Sequence, residues 1–121
     1  LGNDTYIVDD AGDVVSEAAD EGTDEVQSSV SFSLANGFID NIILAGSDDI
    51  DAPGNALDNH ITGNAGNNRL YGGAGNDSFR FDTALSPLTN VDTIIDFNVS
   101  DDTILLANAI FTALTVTGTL A

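Results

Sequence analysis

Cysteine, methionine, tryptophan and lysine are all missing from this 121-residue chain, and Arg69, Arg80 and a single His60 face twenty acidic residues. Without cysteine there is neither a disulfide nor a thiolate metal site. That absence is compatible with export of an unfolded chain. Without clustered Lys and Arg the chain cannot neutralise a phosphate backbone, which excludes nucleic acid as a partner. No apolar run approaches the length of a membrane-spanning helix, and no basic segment followed by an apolar stretch marks a cleaved signal peptide. The zinc-protease HExxH, the Gly-x-Ser-x-Gly elbow and the phosphate loop are likewise absent. Acid pairs abound, but a glycosidase-like pair needs an aromatic sugar cleft, and two Tyr and six Phe placed mostly at strand positions do not offer one. No catalytic residue and no organic cofactor are expected, so this chain alone is not expected to be an enzyme.

What the chain does contain is aspartate: seventeen Asp against three Glu, for a formal charge of −18. A generic acidic surface would use both acids, whereas ligation from tight turns favours the shorter one. Such charge opposes compaction until cations neutralise it. A hydrophobic fraction of 42% excludes a simple disordered acidic tail. The length suits one domain or part of one. Because it starts at Leu1 inside what reads as a repeat, the chain is expected to be a piece of something longer.

Three nine-residue units lie end to end over residues 54–80: GNALDNHIT, GNAGNNRLY and GGAGNDSFR. Turn-forming residues fill the first six positions of each, and one apolar residue recurs at the eighth, as Ile61, Leu70 and Phe79. A fixed short period of this kind marks a solenoid, and six turn residues followed by three strand residues suit a parallel β-roll. Ca²⁺ takes six to eight oxygen ligands. Glycine lets several carbonyls point inward, and a short Asp closing the turn adds negative oxygen. The turn Gly72, Gly73, Ala74, Gly75, Asn76, Asp77 meets each requirement.

The pattern resembles the glycine-rich nonapeptide GGxGxDx(apolar)x of the RTX (repeats-in-toxin, haemolysin-type) calcium-binding proteins. Residues 91–106, VDTIIDFNVSDDTILL, are similar to the segment that closes many RTX β-rolls. The resemblance is specific over 54–82 and 91–106. It implies an all-β, right-handed parallel β-roll or β-solenoid with several Ca²⁺ ions in its turns and a C-terminal β cap. Residues 1–53 would be degenerate coils, 54–82 the tandem calcium-binding repeats, and 83–121 a closing segment, incomplete at its C-terminus. Two nonapeptides per coil would place Ile61 and Phe79 on one sheet and Leu70 on the other. Turns 54–59 and 72–77 would then share an edge, with 63–68 opposite.

On that register the best metal site is expected to use Asp77 with carbonyls from Gly72, Gly73, Ala74 and Gly75. Its partner on one side is the turn of Gly54, Ala56 and Asn59; on the other it is Asp92 or Asp96. A weaker site pairs the turn ending at Asp48 with Gly63, Ala65 and Asn68, since Asn59 and Asn68 keep an oxygen but lose the charge. Asp58 either compensates or is merely solvated. Asp77→Ala should raise the calcium needed for folding far more than Asp20→Ala. Further Gly-x-Asp-x-apolar copies are centred on Asp4, Asp24 and Asp48, with Asp24 read as a coil without metal and Ala52-Pro53 as a small insertion. Strands are expected at 5–8, 13–16, 25–28, 30–34, 40–44, 60–62, 69–71, 78–81, 92–96 and 103–106, with Val30, Phe32 and Leu34 facing inward. Ile94, Ile95, Phe97, Ile104 and Leu105 would cover the open end. The only helical candidate is 107–114, and Pro87 marks a surface connection.

Three functions fit these readings. One is a calcium-responsive folding and secretion module that also acts as a stabilising scaffold. A second is the accessory C-terminal part of a secreted metalloprotease, lipase or polysaccharide-modifying enzyme. A third is a stretch of a surface-layer or adhesive protein. The resemblance implies calcium and the type I secretion machinery as partners of the parent protein, neighbouring domains of a longer chain, no membrane span, and an extracellular or cell-surface destination in bacteria.

Overall fold

A computed structural model describes residues 2–35, 37–83 and 90–107. Its nine strands are β1 (Thr5–Val8), β2 (Glu25–Ser28), β3 (Asn41–Leu44), β4 (Asp51–Pro53), β5 (His60–Thr62), β6 (Arg69–Tyr71), β7 (Ser78–Phe81), β8 (Thr93–Ile94) and β9 (Thr103–Leu106). Every strand except β4 starts directly after an Asp or Asn, whose short side chain favours the turn that ends there. The second residue of these strands is apolar, and in β2, β3, β5, β6 and β7 it is buried.

All pairings are parallel. One sheet runs β1-β2-β3-β5-β7-β9 and the other β4-β6-β8. Successive strands therefore alternate between two sheets through the repeat block, which makes the chain an all-β solenoid. The register sets Ile61 beside Phe79 in the first sheet and Leu70 beside Ala52 and Ile94 in the second, as two nonapeptides per coil require. Described strands from residues 1–53, 54–82 and 83–107 all join the first sheet. Among the described residues no helix is long and apolar enough to cross a membrane.

The core is one column per sheet. Val26, Ile42, Ile61 and Phe79 stack along the first sheet and Ala52 and Leu70 along the second, all fully buried, with Val8, Leu34, Ile39 and Leu44 beside them. Dispersion and area burial from these columns hold the sheets together.

Several expectations need correction. Residues 13–16 are not a strand, and 92–96 shortens to Thr93–Ile94. Segment 30–34 is not a regular strand either, but it lies along β4, where Phe32 N–H donates to Asp51 O (3.3 Å) and Leu34 N–H to Pro53 O (2.8 Å). Its inward period-two pattern holds: Leu34 is buried, and Val30 and Phe32 pack on the core. Ala52-Pro53 is no insertion. It belongs to β4, paired Ala52 to Leu70 and Pro53 to Tyr71, so residues 45–53 are a fourth nine-residue unit with Ile50 in the sixth place and Ala52 in the eighth. Proline is tolerated there because it ends its strand. At the far end Ile94 and Phe97 pack on the core, Phe97 against Phe79 with ring centroids 6.2 Å apart, whereas Ile95, Ile104 and Leu105 are exposed. The helical candidate beyond Ala107 and the connection around Pro87 lie outside the described residues.

Phe79 sits where both columns and Phe97 meet. Phe79→Ala is expected to cost about 3–5 kcal/mol in denaturant unfolding with calcium present, while Ile7→Ala, on an exposed side chain, should change stability by less than about 0.5 kcal/mol.

Candidate metal sites between the coils

Each strand is only two to four residues long, so most backbone N–H groups lie in turns and need partners outside the ladders. Side chains of the next coil supply them. At five turns the closing residue sends its N–H to the side-chain oxygen of its counterpart one coil later, whereas Asp40 N–H turns back to Asp24 O (3.2 Å). Asp4 donates to Asp24 Oδ1 (2.9 Å), Asp24 to Asp40 Oδ2 (2.9 Å), Asn59 to Asp77 Oδ1 (2.8 Å) and Asp77 to Asp102 Oδ1 (3.0 Å). On the opposite edge Asn68 donates to Asp92 Oδ1 (2.9 Å). Fifth positions bond in the opposite sense: Asn67 N–H donates to Asp49 Oδ1 (2.7 Å), Asn76 N–H to Asp58 Oδ1 (2.8 Å) and Val91 N–H to Asn67 Oδ1 (2.7 Å). Asp58 is thus a turn-locking acceptor rather than a merely solvated charge.

These bonds consume one oxygen of each sixth-position carboxylate and leave the other for a different task. Among the described residues three such oxygens are buried with no hydrogen-bond partner: Oδ2 of Asp24, of Asp77 and of Asp92. An uncompensated buried carboxylate oxygen is costly. In each case a cation would satisfy it.

The turn 72–77 shows how the arrangement arises. In the first two tandem units the sixth side chain folds back on its own turn, where Asn59 Oδ1 accepts Asn55 N–H and Asn68 Oδ1 accepts Asn64 N–H, both at 2.8 Å. In the third unit Asp96 of the next coil takes the equivalent donors, accepting Gly72 N–H and Gly73 N–H at 2.9 Å each. Asp77 Oδ2 is left pointing at Gly72, where a Cβ would overlap it. Gly73 has φ 93° and Gly75 φ 106°, backbone that residues with a Cβ rarely adopt.

The other expected residues separate clearly. Turns 54–59 and 72–77 do share an edge: Ala74 N–H donates to Asn55 O (3.2 Å), and Gly54 N–H to Tyr71 O (2.7 Å). Ala56 is exposed. Turn 63–68 lies over 45–50, Ala65 N–H reaching Gly46 O (3.4 Å). Asp48 is not the closing residue of its turn; Ile50 is, because the unit runs two residues further than its acid suggests, and the Asp48 side chain is exposed. Asp92 and Asp96 go to different edges. Asp92 stands over Asn68 and faces Gly63, while Asp96 caps the turn of Asp77.

Asp40, Asp102 and Glu17 were not singled out as candidates. The tripeptide (Asp or Asn)-x-apolar marks the first two, in Asp40-Asn41-Ile42 and Asp102-Thr103-Ile104, as it marks 4–6, 24–26 and 92–94. Glu17 has no sequence signal. It comes from an irregular segment, hydrogen-bonds to Tyr6 Oη, and brings a carboxylate oxygen within 4.8 Å of those of Asp4 and Asp24.

Burial pushes the Asp77 carboxyl above its ordinary range, opposed by the Asn59 N–H and reinforced by repulsion from Asp102, Asp96 and Asp58. Burial also raises Asp92, against the Asn68 N–H. Both carboxyls therefore want either a proton or a cation.

Residues 53–83 match the family model of the RTX calcium-binding nonapeptide repeat, a model of four copies. This stretch is similar to an RTX repeat block. Comparisons with curated proteins and with solved structures gave no match. Asp77 lies inside the matched RTX block, while Asp24 and Asp92 lie outside it, in coils that continue the same ladder.

The raised carboxyls set a pH dependence. Stability tied to their protonation is complete below the ordinary Asp range of about 4 and is lost as pH rises through the raised values. In EDTA the β signal in circular dichroism should therefore rise as pH falls from 7 towards about 5, because protonating these two carboxyls favours the folded chain. A D77N/D92N double variant should show a flatter pH dependence, and a parent whose β signal falls on acidification would contradict the assignment.

Proposed function

We propose that this chain is a calcium-responsive folding module of a secreted bacterial protein, ordering when it meets extracellular calcium and acting afterwards as a stabilising scaffold. The carrying observation is the set of three buried, unpartnered carboxylate oxygens, on Asp24, Asp77 and Asp92, each held between two coils. Calcium, when bound, supplies the positive charge those oxygens and the neighbouring turn carbonyls require. The chain's own residues do the rest. Asp77 Oδ1 fixes the turn below through Asn59 N–H, and Asp96 keeps Gly72 and Gly73 from quenching Oδ2. Asp4 and Glu17 bring further carboxylate oxygens beside Asp24.

The charge of −18 makes the unfolded chain the favoured state when cations are scarce. Free calcium is low inside a bacterial cell, so the chain would stay extended and exportable there. Outside, binding free energy becomes folding free energy. The secretory part of this reading, including passage through a type I system, rests on the resemblance to RTX proteins. A non-catalytic role is proposed for the chain itself, because its acids are engaged in turn closure; catalytic residues of a parent protein would lie in other domains.

Circular dichroism in EDTA and then in millimolar Ca²⁺ tests the proposal: β signal should rise on calcium addition. A β-rich spectrum already complete in EDTA would sink it. D77N keeps the acceptor for Asn59 N–H but removes the charge, and should raise the calcium midpoint by about tenfold, ~1.4 kcal/mol. Asp9, exposed and outside turns 54–59 and 72–77, is the matched comparator, and D9N should leave the midpoint unchanged. Asp20 is unsuitable for this purpose because its φ of 62° would add backbone strain to any alanine variant.

A further inference from the structure

The interfaces between successive turns fall into two chemically different kinds, and only one of them leaves a buried carboxylate oxygen without a partner. Asn55 Nδ2 donates to Gly37 O (3.2 Å) and Ile39 O (2.8 Å), and Asn59 Nδ2 donates to Ile39 O (3.1 Å) and Asp40 O (3.2 Å). Across the solenoid the arrangement recurs. Asn64 Nδ2 donates to Ala45 O (3.0 Å) and Asp48 O (3.1 Å), while Asn68 Nδ2 donates to Ile50 O (2.9 Å). Each pair of amides thus takes up the converging carbonyls of the turn one coil earlier. Asn59, Asn64 and Asn68 are buried, and all four side chains also use their oxygens, Asn55 Oδ1 for Leu57 N–H and Asn64 Oδ1 for Gly66 N–H.

We infer that these four asparagines are built-in substitutes for calcium: the interfaces between turns 37–40 and 54–59, and between 45–50 and 63–68, close through amide N–H groups and bind no ion. The inference rests on the calcium reading above and sharpens it. An amide –NH₂ brings partial positive charge and two directed donors to the oxygens a cation would otherwise collect, and two such groups at one place stand where it would bind. The third tandem unit has Gly73 and Asp77 at the corresponding second and sixth positions, so it can supply no amide from them, and there the unpartnered carboxylate oxygen appears. The exchange is thus coupled within one unit: Asn at both places, or Gly with Asp. The number of bound ions follows the unpartnered carboxylates and not the number of repeats. Two of the three units in the RTX block contribute amide closures towards the preceding coil, although both have the turn shape of a calcium repeat.

Equilibrium dialysis with Ca²⁺ alone tests this on the full chain. The parent fixes the reference number of ions; a parent that binds none removes the calcium reading itself and is told apart from failure of the inference by that first measurement. N55G/N59D vacates the carbonyls of Gly37, Ile39 and Asp40 and adds a carboxylate, so it should bind one ion more than the parent and need more calcium to order. N64G/N68D should do the same on the opposite edge, which keeps the test alive if one variant folds poorly. A stoichiometry equal to the parent's in a variant that orders, or two variants that no calcium concentration orders, overturns the inference.

Discussion

The solenoid depends on one bond: the N–H of a turn-closing residue donated to the side-chain oxygen of its counterpart one coil later. Strands of two to four residues cannot satisfy the backbone of six-residue turns, and unpaired buried N–H groups are costly. Asn59 to Asp77 is the type case, at 2.8 Å between two buried residues. The bond demands an oxygen on a short side chain, which favours Asp and Asn over Glu. It demands closeness between the sixth and first positions, which is why a Cβ on Gly54, Gly63 or Gly72 would crowd the oxygen of Asn59, Asn68 or Asp77. The small residues and the excess of aspartate are two consequences of the same contact.

Stacking that bond has an electrostatic cost. Asp4, Asp24 and Asp40 follow one another in one column, and Asp77 and Asp102 continue it, with only Arg69 and Arg80 in the whole chain to oppose them. Arg80 spends itself on a weak exposed contact with Asp82 at 3.8 Å. The column is relieved from within. Backbone N–H groups saturate both oxygens of Asp96 and of Asp102, neutral amides stand at 59 and 68, and what is left over falls on three buried oxygens. Only where the other two devices stop is a buried carboxylate oxygen left without a partner.

How much of this could be read beforehand depended on how strictly the period was kept. Where nine residues repeat, the strands β5 to β7, their sheets and the partnership of Ile61 with Phe79 were legible, because the eighth position must be apolar on geometric grounds. The unit 45–53 is hidden in the sequence because Ile50 replaces the turn-closing polar residue and Ala52 is too small to announce a core position, yet the register of β4 with β6 holds both in place. Segment 30–34 shows its inward face in the sequence but not its partner, since only two backbone bonds and one from Asp51 N–H to Ser31 Oγ attach it to β4. Asp92 and Asp96 could not be assigned to different edges from spacing, because the chain between Phe81 and Thr93 lengthens the coil. Glu17 was beyond reach altogether: its place beside Asp4 and Asp24 is set by an irregular excursion that no periodicity encodes.

The distances between bonded turn-closing residues show what the fold holds fixed. Along the larger sheet they are 20, 16, 19, 18 and 25 residues, and on the opposite edge 18 and 24. Coil length thus varies widely while the tripeptide that closes a turn, crosses one strand residue and buries the next stays in register. Additional chain is absorbed between coils at modest entropic cost, since loop closure grows only slowly with length. The second sheet, with three strands against six, has strands only where a coil has enough regular turn to reach it. A solenoid of this kind is therefore defined by its closing residues, and its metal chemistry by which of them are charged, buried and left with a free oxygen. That is why Asp24 and Asp92, outside the recognisable repeats, stand with Asp77, while Asn59 and Asn68, inside them, do not.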